Sequence, residues 1–154
     1  ETGEPLLRTK TSLFCRGEVG WGGDRGPSDK IEFPDRSPDK KITYTTREDQ
    51  ALTYRLSGDR NPLHSDPSFA AMGGFDKPIL HGLCTYGITG RALLHGLCEG
   101  DAGRFLSMNA RFSKPVIPGD SLTVYMWIDG KKALFRTENQ NNEIVIDQGE
   151  FSFS

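Results

Sequence analysis

An α+β fold, in which an antiparallel β-sheet wraps one long central helix, is the class this sequence predicts. Three observations carry that expectation. The stretch from about Leu80 to Leu97 is apolar on nearly all sides, the pattern of a helix buried all round. From Phe105 the hydrophobic period falls to two, with Leu122, Val124, Met126 and Ile128 alternating against Thr123, Tyr125 and Trp127, the pattern of strands. Gly82, Gly87, Gly90 and Gly96 lie inside the helical stretch, where each costs about 0.8–1 kcal/mol. That cost makes sense where a surrounding sheet must come close.

The elements follow in order. Leu6 to Arg16 mixes apolar and β-branched residues with polar ones and reads as a strand. It runs into a Gly-rich segment from Gly17 to Gly26, on which neither GxGxxG nor GxxxxGK[ST] can be laid, so nucleotide binding finds no support there. Residues 27–40, with Pro27, Pro34 and Pro38, read as an irregular connection that wraps a surface. Lys41 to Thr45 is a short strand, and Thr46 with Asp49 three residues on resembles a capping box that opens a helix at Arg47. Ala51, Leu52 and Leu56 share one face of that helix, which Gly58 can end in the left-handed conformation. Asn61-Pro62 forbids an immediate restart, because the residue before proline avoids the helical region. Asp59 to His64 is therefore a structured loop. Asp66 then caps a short helix that begins at Pro67 and stops after Met72 at Gly73-Gly74. In the last third, Pro118-Gly119-Asp120, Asp129-Gly130 and Asn139 to Asn142 punctuate an antiparallel meander that ends in Glu143 to Phe153. Three segments result: 1–26, a strand and Gly-rich linker; 27–40, a connection; and 41–154, the main domain.

Composition narrows the function classes. A chain of 154 residues has the length of one domain and buries roughly 68–70% of its unfolded surface. Nineteen Lys and Arg stand against 21 Asp and Glu, a formal charge of -2, which argues against a nucleic-acid partner. The apolar run near Leu80 is broken by His81, Arg91, His95 and several glycines, so no membrane insertion is expected. Cys15, Cys84 and Cys98 are odd in number and lack CxxC spacing, which points to free thiols in a reducing compartment. Position 1 is Glu rather than Met, so the first residues are expected to be processed, engineered or cut from something longer.

One dense cluster of reactive residue types stands out, Tyr54-Arg55-Leu56-Ser57-Gly58-Asp59-Arg60-Asn61-Pro62-Leu63-His64, followed by His81-Gly82. A carboxylate and an imidazole five residues apart, pinned by Gly58 and Pro62, can point into one buried pocket as an acid/base pair, with Asn61 adding a neutral donor and acceptor. The bland reading is a turn, because Asp and Asn before proline commonly bond their own backbone, with His64 packing on the next helix. His64, His81 and His95 are not at metal-ligand spacing and have no Cys pair nearby, so no metal is expected.

This stretch resembles the signature of the MaoC-like (R)-specific enoyl-CoA hydratases: an aromatic residue, a spacer, then Gly-Asp-x-Asn-Pro-aliphatic-His and a small residue. Tyr54, Gly58, Asp59, Asn61, Pro62, Leu63, His64 and Ala70 match it. The likeness continues through Phe75 to Thr85, Phe112 to Val116 and Pro118 to Asp120, and covers roughly residues 41–154.

The resemblance implies a hot-dog fold and reversible syn addition of water to a trans-2-enoyl-CoA, giving (R)-3-hydroxyacyl-CoA. Asp59 and His64 would activate the water, Asn61 would orient the reacting groups, and the Gly82 N–H would hold the thioester oxygen. His81, Gly82 and Leu83 would bind substrate. Free N–H groups and the positive end of the dipole at a helix start suit that oxygen, although close packing would also explain Gly82, and a structural hydrogen bond His81. Acyl-CoA is then the substrate, and no cofactor is expected. Residues 1–26 are similar to the end of the non-catalytic first half in two-domain hydratases, so the implied partner is another hot-dog unit, either a second copy or a missing N-terminal half. The implied compartment is the cytoplasm in a bacterium and the peroxisome in a eukaryotic multifunctional enzyme. Two other readings remain: a 3-hydroxyacyl dehydratase acting on acyl carrier protein, and a non-catalytic acyl-CoA-binding hot-dog module.

Overall fold

A computed structural model describes residues 3–13, 20, 22–23 and 30–154. Cys15, Trp21 and most of the Gly-rich segment lie outside the described residues. Leu6 to Leu13, part of the expected first strand, carry no strand in this chain, and Leu6, Leu7 and Leu13 are exposed.

Among the described residues, five strands form one antiparallel sheet around a helix, as expected. In chain order they are β1 (Lys40–Thr45), β2 (Phe105–Phe112), β3 (Ser121–Asp129), β4 (Lys132–Asn139) and β5 (Ile144–Phe153). The helices are α1 (Gln50–Tyr54), α2 (Pro67–Met72) and α3 (Gly82–Leu97). The spatial order is β1-β3-β4-β5-β2, which corrects the simple meander. Only β3, β4 and β5 follow one another, while β2 crosses to the far edge beside β5. Turn chemistry explains the meander part, since Gly130 at φ +57° and Asn142 at φ +59° close the two hairpins. Nothing local to β2 fixes its place; it goes where Met108 can pack against the main core.

The helix α3 is 16 residues long and lies across the sheet. Ala92, Leu93, Leu97 and Cys98 meet Val124, Met126, Phe135, Ile146 and Phe151 in the main core. Thr89 and Thr137 are both fully buried and share a hydrogen bond of 2.9 Å between their hydroxyls, so each satisfies the other in an apolar setting. Burial is one-sided rather than complete. Leu83, Gly87, Arg91 and His95 form an i, i+4 stripe that stays exposed, which corrects the expectation of a helix buried all round. The glycines differ accordingly: a Cβ on Gly96 would lie 3.1 Å from the Met126 sulfur, whereas Gly87 faces open space.

A second, smaller core of Ala51, Leu80, Cys84, Val116, Leu122 and Val145 joins α1 to the start of α3. Thr46 helps to build it in an unexpected way. Its hydroxyl donates to the Asp120 carbonyl and accepts from the Gly119 N–H, so it ties the approach to α1 to the β3 turn instead of capping a helix. The helix starts later, at Gln50. Asp66, by contrast, caps α2 as expected, accepting from the N–H groups of Ser68 and Phe69. Residues 30–39 cover the other face of the sheet. Phe33 packs 5.1 Å from Trp127, the Trp127 indole donates to the Arg36 carbonyl, and Gln148 accepts from the Ile31 N–H. No helix among the described residues is long and apolar enough to cross a membrane.

The β4–β5 ladder slips where β5 bulges near Gln148, which sits at φ +51°. Gly149 follows, and a Cβ there would collide with the Phe135 carbonyl and lie 2.6 Å from its ring. Because that obstacle includes backbone, Gly149→Ala is expected to destabilise the fold by about 1–3 kcal/mol. The thermal unfolding midpoint should fall by at least about 3 °C.

Candidate active site

The loop that carries the reactive cluster writes its own conformation. Gly58 ends the turn Arg55–Ser57 at φ +121°, a backbone that glycine adopts without strain. The Asn61 N–H then donates to Asp59 Oδ1 and the Leu63 N–H donates to Asn61 Oδ1, two consecutive side-chain turns. Asn61 thereby caps the 3₁₀ turn Pro62–His64 and aims the histidine at its end.

His64 is locked from the other side. Its Nδ1 lies 2.7 Å from the Ile79 carbonyl, and because a carbonyl only accepts, Nδ1 carries the proton and Nε2 presents a lone pair. The strand-like segment that supplies Ile79 is itself held, since the Ile79 N–H donates to the Leu63 carbonyl and the Leu80 N–H to the Val116 carbonyl. His81 follows at the cap of α3, 1% exposed. Its Nε2–H donates to the Asp59 carbonyl at 3.0 Å, and its ring stacks on that of His64, 3.7 Å between centroids. Burial pushes the His81 imidazole below its ordinary pKa, and the neighbouring His64 and Arg55 act in the same direction against the opposing pull of Asp59.

Two clefts meet here. One, of about 290 Å³, is lined by His64, Gly82, Thr85, Phe112, Pro115 and Val145 among others. The second, of about 250 Å³, is lined by Glu48, Leu52, His64, Lys77 and Ile117 among others. His64 is the wall they share. Gly82 is the first residue of α3, where backbone N–H groups have no partner within the helix, and a Cβ there would press to 3.3 Å from the Phe112 ring.

Of the residues singled out from sequence, Asp59, His64 and His81 converge, with one donor atom of each within 4.8 Å of the others. Asn61 and Gly82 flank them. Leu83 does not join: it is 66% exposed on α3 and lines neither cleft. Asp59 is exposed rather than buried, because the isolated loop has nothing above it. Linear spacing did not show which histidines come together. His95 lies apart, bonded to the Tyr44 hydroxyl, yet Asp59, His64 and His81 form a group able to hold a cation. Sequence reasoning missed Phe112, Thr85 and Val145 as cleft walls. Thr85 and Phe112 stood at the edges of stretches that carry the family likeness, but only as matching residues, and Val145 stood only in ordinary strand periodicity, which marks a core face and a cleft wall alike.

Comparison with known proteins decides the family. A family model described as MaoC like domain matches residues 30–148. The chain belongs to that family. The five-stranded sheet around α3 is its hot-dog fold. This MaoC-like chain is 52% identical to the 3-hydroxyacyl-thioester dehydratase Y of Mycobacterium tuberculosis, over 97% of this chain and 54% of that protein. It is 46% identical to a probable enoyl-CoA hydratase 2 of Dictyostelium discoideum, over 96% of this chain and 52% of that one. The solved structure of full-length peroxisomal multifunctional enzyme type 2 from Drosophila melanogaster matches with a TM-score of 0.79 at 42% identity, covering 86% of this chain and 25% of that one. The chain spans about half the length of the curated relatives it matches.

The lowered pKa of His81 has a consequence for stability. An unfolded chain binds a proton on this histidine near pH 6.5, while the folded chain resists doing so to lower pH. Its contribution is therefore present above that point and lost as pH falls. The thermal unfolding midpoint should begin to drop below about pH 6.5, and His81→Gln should remove that early part of the decline.

Proposed function

We propose that this protein catalyses the reversible addition of water to a trans-2-enoyl thioester of coenzyme A, giving the (R)-3-hydroxyacyl thioester. The observation that carries this reading is the bare Nε2 of His64, fixed by the Ile79 carbonyl in the wall between two clefts, with Asp59 close by and the start of α3 at Gly82 across the larger cleft. Water held between Asp59 and His64 gives up a proton as its oxygen bonds to C3. Electrons then move from the C2–C3 double bond toward the thioester oxygen, where the Gly82 N–H and the positive end of the α3 dipole favour the growing negative charge. The proton returns through the Asp59 and His64 pair to C2 on the same face, which closes the balance. Asn61 acts by holding the turn that aims His64.

The same site run backwards dehydrates a 3-hydroxyacyl thioester, so the name of the mycobacterial relative and that of the amoebal one describe a single equilibrium. No metal or cofactor enters this proposal. A second hot-dog unit does, because the edge strand β2 leaves Leu106 and Phe112 exposed and an unpaired sheet edge seeks a partner. We place the protein in the cytoplasm of a bacterial host or in the peroxisome of a eukaryotic one.

Loss of the conjugated thioester absorbance of a short trans-2-enoyl-CoA, followed by chiral analysis of the 3-hydroxy product, tests the reading. An (R) product is expected, and an (S) product or none at all overturns it. Asp59→Asn and His64→Ala should each lower kcat by about 10²–10⁴-fold while retaining thioester affinity; a binding module would have no turnover to lose. Although Asp59, His64 and His81 could gather a cation, dialysis against a strong chelator should leave the rate unchanged, and a loss restored by a divalent metal would require a different mechanism.

A further inference from the structure

We propose that His81 is a positioning residue that holds Asp59 and His64 in register with each other, a role resting on the hydration reading above. Three contacts made by one buried ring point to it. Its Nε2–H grips the main-chain carbonyl of Asp59 at 3.0 Å, its ring stacks on that of His64 with 3.7 Å between centroids at 26°, and the Tyr54 ring lies tilted against it, 4.8 Å between centroids. The two members of the acid/base pair come from one loop but touch each other through no hydrogen bond of their own; the His81 ring touches both.

Stability alone is a poor reason for an imidazole at this place. Donation from Nε2 leaves Nδ1 as an acceptor, and that atom is buried without a partner among the described residues, a loss that an apolar ring would avoid. What imidazole adds over Phe is the donor to Asp59; what it adds over Gln is the flat face against His64. His81 is also the cap residue of α3 and immediately precedes Gly82, so one residue sets the loop, the reactive ring and the first N–H of the helix relative to one another. The titratable and charged groups facing it are Asp59 and His64 from the loop and Tyr54 and Arg55 from the end of α1.

The test uses the full-length protein and trans-2-butenoyl-CoA, and begins with the unaltered enzyme. Absence of turnover there overturns the hydration reading itself and is distinguishable from every outcome below. His81→Phe keeps the stack and loses the donor, while His81→Gln keeps a donor and loses the stack. Each folded variant should lose kcat on the order of 10–100-fold, with KM changed less than about threefold and the acid limb of the pH–kcat profile displaced. In a His64→Ala background the same changes at His81 should alter the residual rate several-fold less than in the unaltered enzyme, because only the placement of Asp59 is then left to lose. The proposal is overturned if both folded variants keep kcat and the pH profile, if the loss falls on KM alone, if the His81 effect persists undiminished without His64, or if neither variant folds.

Discussion

Where α3 begins is the constraint on which the rest of this molecule depends. The helix is fixed across the sheet by the buried Thr89–Thr137 hydroxyl pair and by the close fit of Gly96 to Met126. With its far end so placed, its first turn falls at Gly82, beneath the loop that carries Asp59 and His64. The segment Ile79 to His81 then serves as the joint. Its backbone bonds to Leu63 and Val116 on either side, and its Ile79 carbonyl decides which nitrogen of His64 holds the proton.

Two separate cores divide the labour. The larger one, around Leu93, Met126, Phe135 and Phe151, binds helix to sheet and contains no group with reactive chemistry apart from the inert Cys98, whose thiol burial pushes up in pKa. The smaller one, around Leu80, Cys84, Val116 and Val145, lies directly under the loop and supplies the floor of the larger cleft. A fold arranged in this way can carry a polar, exposed loop at one end without weakening the packing at the other.

Much of this was legible in the sequence, and the reasons divide cleanly. Asp66-Pro67, Gly58 and the Asp129-Gly130 turn act through bonds and dihedral limits within a few residues, so their effect could be read directly. Thr46 looked like a helix cap because Asp49 stood at the right spacing, yet its hydroxyl found the Asp120 carbonyl more than seventy residues away. Local pattern cannot register such a competitor. The same holds for β2, whose partner is β5 and not its neighbour in the chain, and for Asp59, left exposed where a pocket was expected. His81 and His64 are seventeen positions apart with no periodicity between them; only the fold shows that their rings stack.

The shared wall between the two clefts carries one more consequence. Whatever enters either cleft is therefore placed relative to one ring, whose orientation the backbone carbonyl of Ile79 fixes.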